Sequence, residues 1–394
     1  MPELIPPLQL NMRVLHFYRT YSQSYGGIEQ VIYQLCVGAN SQGIEAQVLT
    51  LSRDMREPQV DLKGHTVVRA KLDFEIASTG FSFSALKKFR QLAEQADIIH
   101  YHFPWPFMDV VHFAAGVKKP TVLTYHSDIV RQWFLLSLYR PLMRRLLASV
   151  DRIVVASPNY LASSTVLNRY KSKVEVIPFG LDRQSYPVPT PQDLKAWTGR
   201  VGTKFFLFVG VLRYYKGLHI LLDAARGSNY PIIIVGAGPI EASLKRQARK
   251  HGLDHVHFLG AVSDEDKVAL LTSCYAVVFP SHLRSEAFGI SLLEGAMHGK
   301  PMISSEIGTG TSFINVHEKT GLVVPPSNPQ AFRDAMDMLW NHPDKAKAMG
   351  HQAAKRYQTL FTATTMSQAY ADLYRQMLAP VTELADDTAL TART

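Results

Sequence analysis

Short runs of apolar, mostly β-branched residues alternate with amphipathic stretches along almost the whole of this 394-residue chain. Such runs predict buried strands, and the amphipathic stretches between them predict helices. Strands that are separated by helices form parallel sheets with helices on both faces. The predicted strands lie at 14–18, 46–51, 98–101, 121–125, 153–156 and 174–177 in the first half of the chain, and at 205–209, 232–235, 256–259, 276–279, 302–304 and 322–324 in the second.

The alternation stops once, at residues 187–191, where three prolines in five residues favour an extended connector. We therefore predict an α/β protein with two doubly wound parallel-sheet domains, residues 1–186 and 187–363. A last helix is predicted over 353–377. Residues 1–11 contain three prolines and no cation, and we expect them to be an unstructured leader and not a signal peptide.

The composition is that of an ordinary globular protein, since 46% of the residues are apolar and 19% are charged, which excludes disordered and collagen-like chains. No uncharged run reaches the roughly 18–20 residues of a membrane-spanning helix. Cys36 and Cys274 are too few for a disulfide framework, and a reducing, cytoplasmic location is expected. The net charge of +9 favours anionic partners such as nucleotides, phospholipids or pyrophosphate lipids.

The strongest functional signal is the sequence SEAFGISLLEG at residues 285–295, between a predicted strand and an apolar helix. Gly289 near the helix start lets backbone N–H groups approach a ligand, and the positive end of the helix favours an anion such as phosphate. Glu286 and Glu294 can border one pocket, where their carboxylates would accept hydrogen bonds from the vicinal hydroxyls of a sugar. The alternative is that Glu286 caps the helix and Glu294 lies on a solvated face.

Two further signals follow the first strand of each predicted domain. Arg213 and Lys216 come after the strand at 205–209, at the edge where open parallel sheets bind ligands. Two fixed cations suit a diphosphate whose negative charge grows as it leaves, although a pair of surface cations is the alternative. Gly26 and Gly27 follow the first strand of the chain, and paired glycines permit a tight turn and a close approach of the backbone.

Three histidines end neighbouring predicted strands. His126 would face the same crevice and exchange a hydrogen bond with a sugar hydroxyl, and a purely structural role is the alternative. His100 and His102 end the strand before it, but no third ligand stands at a metal-site spacing, so we expect no zinc site. The glycines at 236–238 resemble a dinucleotide fingerprint, but Glu241 replaces its last glycine and a dehydrogenase is therefore excluded.

Residues 131–150 predict an amphipathic basic helix, with four arginines, no acidic residue, and tryptophan, phenylalanine and leucine among the apolar residues. A helix of this composition can lie on an anionic membrane surface, and ordinary packing against the sheet is the alternative. Pro141 is expected to divide it into two shorter helices.

The chain resembles the retaining glycosyltransferase family 4 over about residues 12–377. More narrowly, it is similar to bacterial O-antigen mannosyl- and rhamnosyltransferases, including those that build D-rhamnan polysaccharide. The resemblance implies a GT-B fold, in which two Rossmann-like domains face each other across a cleft. It implies that the second domain holds a sugar nucleotide, that the first meets the acceptor, that residues 364–394 return to the first domain, and that no metal or other cofactor is required. The resemblance rests on Gly26-Gly27, His126, Arg213 with Lys216-Gly217, and Glu286 with Glu294, in this order along the chain.

The resemblance also implies a role for each matching residue. Glu286 would bind the hydroxyls of the donor sugar, Glu294 the ribose, and His126 the donor sugar near its reacting carbon. In the family the arginine commonly follows the glycine directly, where this chain has Val211. Arg213 is expected to replace it, because side chains two residues apart on an extended strand share a face. Arg213 and Lys216 would grip the diphosphate, and Gly27, next to the substrate-binding Gly26, would approach it from the opposite domain. Phe288, Gly289 and Ile290 would offer backbone N–H groups to phosphate and sugar, and the loop around Val262 would face the base.

These expectations combine into one function: retaining transfer of a hexosyl group, preferably mannose or D-rhamnose, from a GDP-sugar to a lipid-linked or lipopolysaccharide O-antigen saccharide. The enzyme is expected on the cytoplasmic face of the inner membrane, as a peripheral protein attached through residues 131–150. Two alternatives stay open, a UDP-sugar donor and a sugar-nucleotide epimerase or hydrolase on the same fold. A nucleic-acid partner is not expected, because the chain lacks a basic run with interleaved aromatic residues.

Overall fold

A computed structural model describes residues 12–21, 26–76, 79–129 and 133–379 of the chain, with the backbone alone for 133–136. The predicted leader at 1–11 lies outside these residues. Two sheets form the centre of the molecule, an eight-stranded sheet in the first half of the chain and a six-stranded sheet in the second.

The first half carries a largely parallel sheet. Its strands are β1 (Met12–Phe17), β2 (Ile44–Ser52), β3 (Gln59–Leu62), β4 (His65–Lys71), β5 (Phe74–Ile76), β6 (Thr79–Phe81), β7 (Ile98–Phe103), β8 (Thr121–Tyr125), β9 (Arg152–Val155) and β10 (Val174–Val176). Its helices are α1 (Gly27–Asn40), α2 (Phe83–Gln95), α3 (Pro106–Ala115), α4 (Trp133–Ser149) and α5 (Pro158–Ser163). The sheet order is β10-β9-β8-β7-β1-β2-β4-β3, only the β3–β4 pair is antiparallel, and β5 and β6 form a separate hairpin.

The second half carries a wholly parallel sheet. Its strands are β11 (Phe206–Val209), β12 (Ile232–Val235), β13 (Val256–Gly260), β14 (Ala276–Phe279), β15 (Met302–Ser305) and β16 (Gly321–Val324), in the order β13-β12-β11-β14-β15-β16. The helices in the second half of the chain are α6 (Pro191–Val201), α7 (Leu218–Ala224), α8 (Glu241–Lys250), α9 (Asp264–Ser273), α10 (Ile290–Met297), α11 (Thr311–Ile314), α12 (Pro329–Asn341), α13 (Pro343–Leu360) and α14 (Ala363–Leu378).

Successive residues of the central strands face two different cores. Val14 and Leu15 of β1 are both buried but belong to separate apolar clusters, and so do Leu207 and Phe208 of β11. Both faces of each sheet are therefore covered, which is why these strands read as continuous apolar runs. Every predicted strand overlaps an observed one. The strands β3 to β6 were not predicted: β3 alternates between exposed and half-buried residues and β5 is exposed throughout, whereas β4 is mostly buried and was missed.

Two helix predictions are wrong. The last helix, predicted over 353–377, is divided at Phe361-Thr362, where the Thr362 hydroxyl accepts a hydrogen bond from the Thr365 N–H at 3.1 Å and caps a new helix. Pro141 does not divide α4, which runs unbroken from Trp133 to Ser149. The proline removes one backbone donor, but the turns that follow are held by Met143, Leu146 and Leu147, which are buried against the sheet.

The chain crosses between the two halves along two adjacent segments. The Leu181 N–H donates to the Phe361 carbonyl and the Ala363 N–H donates to the Leu181 carbonyl, both at 3.0 Å. A Cβ added to Gly180 would lie 2.1 Å from the Thr362 carbonyl oxygen, so the two segments touch through bare backbone. After the second crossing, α14 packs against α1 of the first half. The last fifteen residues, 380–394, lie outside the described part.

Candidate active site

The amino-termini of two helices face each other across the space between the sheets. A Cβ added to Gly27, the first residue of α1, would lie 3.6 Å from Cγ1 of Ile290, the first residue of α10. The residues before them, Gly26 and Gly289, give these helices no side-chain cap. The first N–H groups of a helix lack intrahelical acceptors and carry its positive end. Two such ends at one place suit an anion.

Gly289 has a conformation that favours glycine. Its φ of 101° is in the left-handed region, where a Cβ would be strained. Its carbonyl accepts the N–H groups of Leu292 and Leu293 and so starts α10. The preceding Phe288 is buried and packs edge-on against Phe179 of the first crossing segment, with ring centroids 5.0 Å apart. The segment 285–295 is thus packed against the first half of the molecule.

Lys216 and Glu286 form a buried ion pair. The Lys216 Nζ lies 2.5 Å from Oε2 of Glu286, and the two side chains are only 12% and 10% exposed. Burial lowers the pKa of Lys216, but the Glu286 carboxylate outweighs burial and the pKa is raised above its usual value. Ser281 also donates to Oε2 of Glu286, at 3.2 Å. A cation and a carboxylate are therefore presented together beside the start of α10.

Arg213 lies near this pair but is exposed. The strand β11 ends at Val209, before the arginine, and the Arg213 N–H donates to the Val211 carbonyl at 2.9 Å. The predicted extended strand is therefore wrong at this position, but Val211 and Arg213 are both exposed and Leu212 between them is fully buried. Among the described residues, the Arg213 guanidinium has no ion-pair partner. It stays the predicted second cation for a diphosphate.

Glu294 is a buried carboxylate with two partners from other elements. The Tyr186 hydroxyl donates to its Oε1 at 3.1 Å, and the Lys267 Nζ of α9 lies 3.4 Å from the same oxygen. Burial lowers the pKa of Lys267, but Glu294 and Asp264 together raise it above its usual value. The loop with Val262 leads directly into α9. Lys267 therefore connects the predicted base loop with the predicted ribose carboxylate.

His126, directly after β8, is buried at 5% exposure. Its ring stacks on His102 and makes a tilted contact with Phe179, both with centroids 5.3 Å apart. Burial lowers the pKa of His126 to about 3, so the ring is neutral at physiological pH. Because Phe179 also contacts Phe288, His126 is one aromatic ring away from the loop that carries Glu286.

The expectation that His100 and His102 have no third potential metal ligand nearby is wrong. His16 of β1 is the register partner of His100 on β7, and the ligand atoms of His16, His100 and His102 lie within 4.8 Å of one another. A parallel register brings these residues together, and spacing along the chain cannot show it. The ring nitrogens are engaged in hydrogen bonds: His16 Nδ1 with His102 Nε2, and His100 with Thr124 and Tyr374.

The glycines at 236–238 pack against the loop that follows β11. A Cβ added to Gly236 would lie 2.0 Å from the Gly210 carbonyl oxygen, and one added to Gly238 would lie 2.4 Å from the Leu212 carbonyl oxygen. The glycines thus let two backbone segments touch and position the residues before Arg213.

The helix α4 buries one side and exposes the other. Met143, Leu146 and Leu147 belong to the core, whereas Arg140 and Arg144 are exposed and Leu138 is 78% exposed. The side chains of residues 131–136, among them the tryptophan and phenylalanine of the sequence pattern, lie outside the described part. No helix among the described residues is long and apolar enough to cross a membrane.

An ion pair that was not predicted joins the two halves near the site. Arg284, two residues before Glu286, reaches Asp128, two residues after His126, with Nη2 and Oδ2 3.2 Å apart. Arg284 also donates to the Ser163 hydroxyl and to the Gly308 carbonyl. No sequence signal identifies this pair, nor Tyr186 and Lys267, because their partners are distant along the chain.

Comparisons with known proteins agree with this arrangement. A family model described as Glycosyltransferase Family 4 matches residues 25–185, and one described as Glycosyl transferases group 1 matches residues 191–356. The chain is 65% identical to the D-rhamnosyltransferase WbpZ of Pseudomonas aeruginosa, across 89% of this chain and 93% of that protein. It is 53% identical to the O-antigen chain mannosyltransferase C of Escherichia coli, across 93% and 99%. Sucrose-phosphate synthase from Thermosynechococcus elongatus shares the fold, with a TM-score of 0.77 at 22% identity across 93% and 99% of the two chains.

Proposed function

The chain belongs to glycosyltransferase family 4 and is a glycosyltransferase of GT-B fold, as its sequence predicts, and we propose that it moves a D-rhamnosyl or mannosyl group from a GDP-sugar to an O-antigen saccharide. The sugar is taken from the relatives, one a D-rhamnosyltransferase and one a mannosyltransferase. The observation that carries the proposal is the Lys216–Glu286 pair beside two facing helix amino-termini.

The candidate site offers a complementary group to each part of the proposed sugar-nucleotide donor. The diphosphate would lie between the starts of α1 and α10, where Arg213 and Lys216 add two positive charges. When Lys216 turns to the diphosphate, Glu286 is released to accept hydrogen bonds from sugar hydroxyls. Glu294 would accept those of the ribose. In the free enzyme the two charges satisfy each other, so neither is left buried without a partner.

We assign Glu286 to sugar binding and propose that the transfer retains the anomeric configuration by front-face attack. The bond from the anomeric carbon to the phosphate oxygen breaks, the acceptor hydroxyl oxygen bonds to the same face, and its proton passes to the leaving phosphate. Catalysis then rests on positioning and on neutralising the diphosphate. Because two cations and two helix ends supply positive charge, we propose that no metal is required and that EDTA leaves turnover unchanged.

The proposed acceptor is a lipid-linked or lipopolysaccharide saccharide, since the relative at 53% identity is an O-antigen chain mannosyltransferase. The exposed Arg140, Arg144 and Leu138 of α4 would hold the first domain against an anionic bilayer surface. We therefore propose a peripheral protein on the cytoplasmic face of the membrane, where sugar nucleotides are present.

Thermal unfolding with GDP, UDP and ADP tests the donor. A ligand that binds only the native state stabilises it by about 2.7 kcal/mol at a hundredfold excess over Kd, which corresponds to a shift of several degrees in the melting temperature. We expect this shift with GDP and little with UDP or ADP. A shift with UDP alone would contradict the guanine assignment.

A transfer assay with GDP-mannose, GDP-D-rhamnose and UDP-glucose then tests the reaction. We expect sugar to reach a lipid-linked O-antigen acceptor from one of the two GDP-sugars, and little free sugar when the acceptor is left out. Turnover of the donor at equal rates with and without acceptor would identify an epimerase or a hydrolase instead.

A further inference from the structure

A line of three buried histidines leads away from the active site. His126 Nε2 lies 3.0 Å from His102 Nδ1, and His102 Nε2 lies 3.1 Å from His16 Nδ1. The three residues come from three adjacent parallel strands or their ends, β8, β7 and β1. His102 and His16 are at most 1% exposed. Both ring nitrogens of His102 are therefore used by the other two histidines.

The number of protons makes this line directional. A neutral imidazole has one N–H donor and one bare nitrogen acceptor. If His126 donates from Nε2, His102 must donate from Nε2 to His16. If His16 donates from Nδ1, His102 must donate from Nδ1, and His126 then has its proton on its own Nδ1. With both hydrogen bonds kept, the three rings change tautomer together or not at all.

We propose that His102, supported by His16, is a positioning residue that sets the orientation and the tautomer of His126 toward the donor sugar. The inference rests on the proposed role of His126 in sugar binding. A ring that can rotate or change tautomer offers the sugar a donor in one state and an acceptor in the other. The line holds one ring nitrogen of His126 and thereby determines which role the other nitrogen plays.

His100 provides a matched control for burial. It is fully buried on the same strand as His102, and its ring lies 4.4 Å from the His102 ring. Its nitrogens bond to Thr124 at 2.7 Å and to the Tyr374 hydroxyl at 2.6 Å. It thus matches His102 in burial and in its strand, but its hydrogen bonds go to residues other than His126.

The first test uses two amides that replace different nitrogens of His102. The asparagine amide reaches as far as Nδ1, and the glutamine amide reaches as far as Nε2. His102→Asn therefore keeps the contact with His126, whereas His102→Gln keeps only the contact with His16. We expect His102→Gln to lower kcat about 100-fold, the scale of a misplaced group, with the KM for the sugar nucleotide nearly unchanged. His102→Asn should retain most of the wild-type kcat, and His100→Gln should have the wild-type kcat.

The second test needs no catalysis. In protein labelled with ¹⁵N-histidine, we expect His126, His102 and His16 each to show one tautomer, all in the same direction along the line. Opposed directions, or a mixture of tautomers at His126, overturn the proposal, and so does wild-type kcat in His102→Gln or an equal loss of kcat in His100→Gln. Because the spectrum is recorded without substrate, it tests the shared tautomer separately from the proposed function.

Discussion

At the scale of single residues, the candidate site contains two buried ion pairs, and we propose that substrate binding separates their charges. Lys216 with Glu286 and Lys267 with Glu294 both show this arrangement. A buried ion pair contributes little net stability, but removing one partner leaves an unpaired charge and costs several kcal/mol. Activity and stability can therefore be separated by removing one charge or both.

Lys216→Ala should lower kcat about 10²–10³-fold, because the diphosphate loses a fixed cation. It should also destabilise the fold by about 3 kcal/mol, because Glu286 is left buried without its partner. The double variant Lys216→Ala, Glu286→Gln should recover most of the stability and none of the activity. Kinetics and urea unfolding measure the two effects. Lys245→Ala, in a half-buried pair on α8, is the control, and an equal loss of activity there would contradict the assignment.

The buried histidines should make the protein sensitive to acid. Burial lowers the pKa of His16 and of His126 from 6.5 to about 3, so the folded protein takes up these protons only near pH 3. The unfolded chain takes them up near pH 6.5. The free energy of unfolding that these histidines contribute is therefore complete above pH 6.5. It is lost as the pH falls toward 3, by about 1.4 kcal/mol per pH unit for each such histidine. Urea unfolding at several pH values measures the slope, and a flat profile between pH 6 and 4 would contradict it.

At the scale of strands, helices and loops, the sequence predicts what a single segment determines. Strands such as β1 and β11 are apolar on both faces, so a local run is enough to find them. The loop 285–295 could be assigned because its glycine and its carboxylates lie within a few residues. The contact of His16 with His102, and that of Arg284 with Asp128, depend on register and on domain orientation, which no local pattern contains.

The Arg284–Asp128 ion pair should align two loops that carry site residues. One loop leads to Glu286 and the other follows His126, so losing either charge lets the loops separate. We expect Arg284→Ala and Asp128→Ala each to lower kcat about tenfold, as a slightly misplaced group does. The double variant should lose little more than either single one, because the second change removes a pair already broken. Additive losses would show that the two residues act independently. The exposed Arg56–Asp54 pair offers a control, since Arg56→Ala should leave kcat unchanged.

At the scale of the whole molecule, two crossing segments and one shared core join the domains. Apolar residues of both halves form one cluster through Phe179, Phe288 and Tyr370. The helices α2, α3 and α4 lie next to one another in the first half. Among the described side chains, Phe83 of α2, Val110 of α3 and Leu138 of α4 are exposed, at 82%, 47% and 78%.

The exposed face of α4, which carries Leu138, Arg140 and Arg144, should bind anionic membranes. A basic residue near a negatively charged bilayer contributes about 1 kcal/mol, so Arg140→Ser with Arg144→Ser should weaken binding to phosphatidylglycerol vesicles about 30-fold. Leu138→Ser should weaken it further by removing apolar contact, and neutral phosphatidylcholine vesicles should bind poorly. Vesicle sedimentation measures the affinities. Lys345→Ser with Lys347→Ser removes the same charge from an exposed part of the second domain and should have little effect. An equal loss in that control would mean that net charge, and not this face, determines attachment.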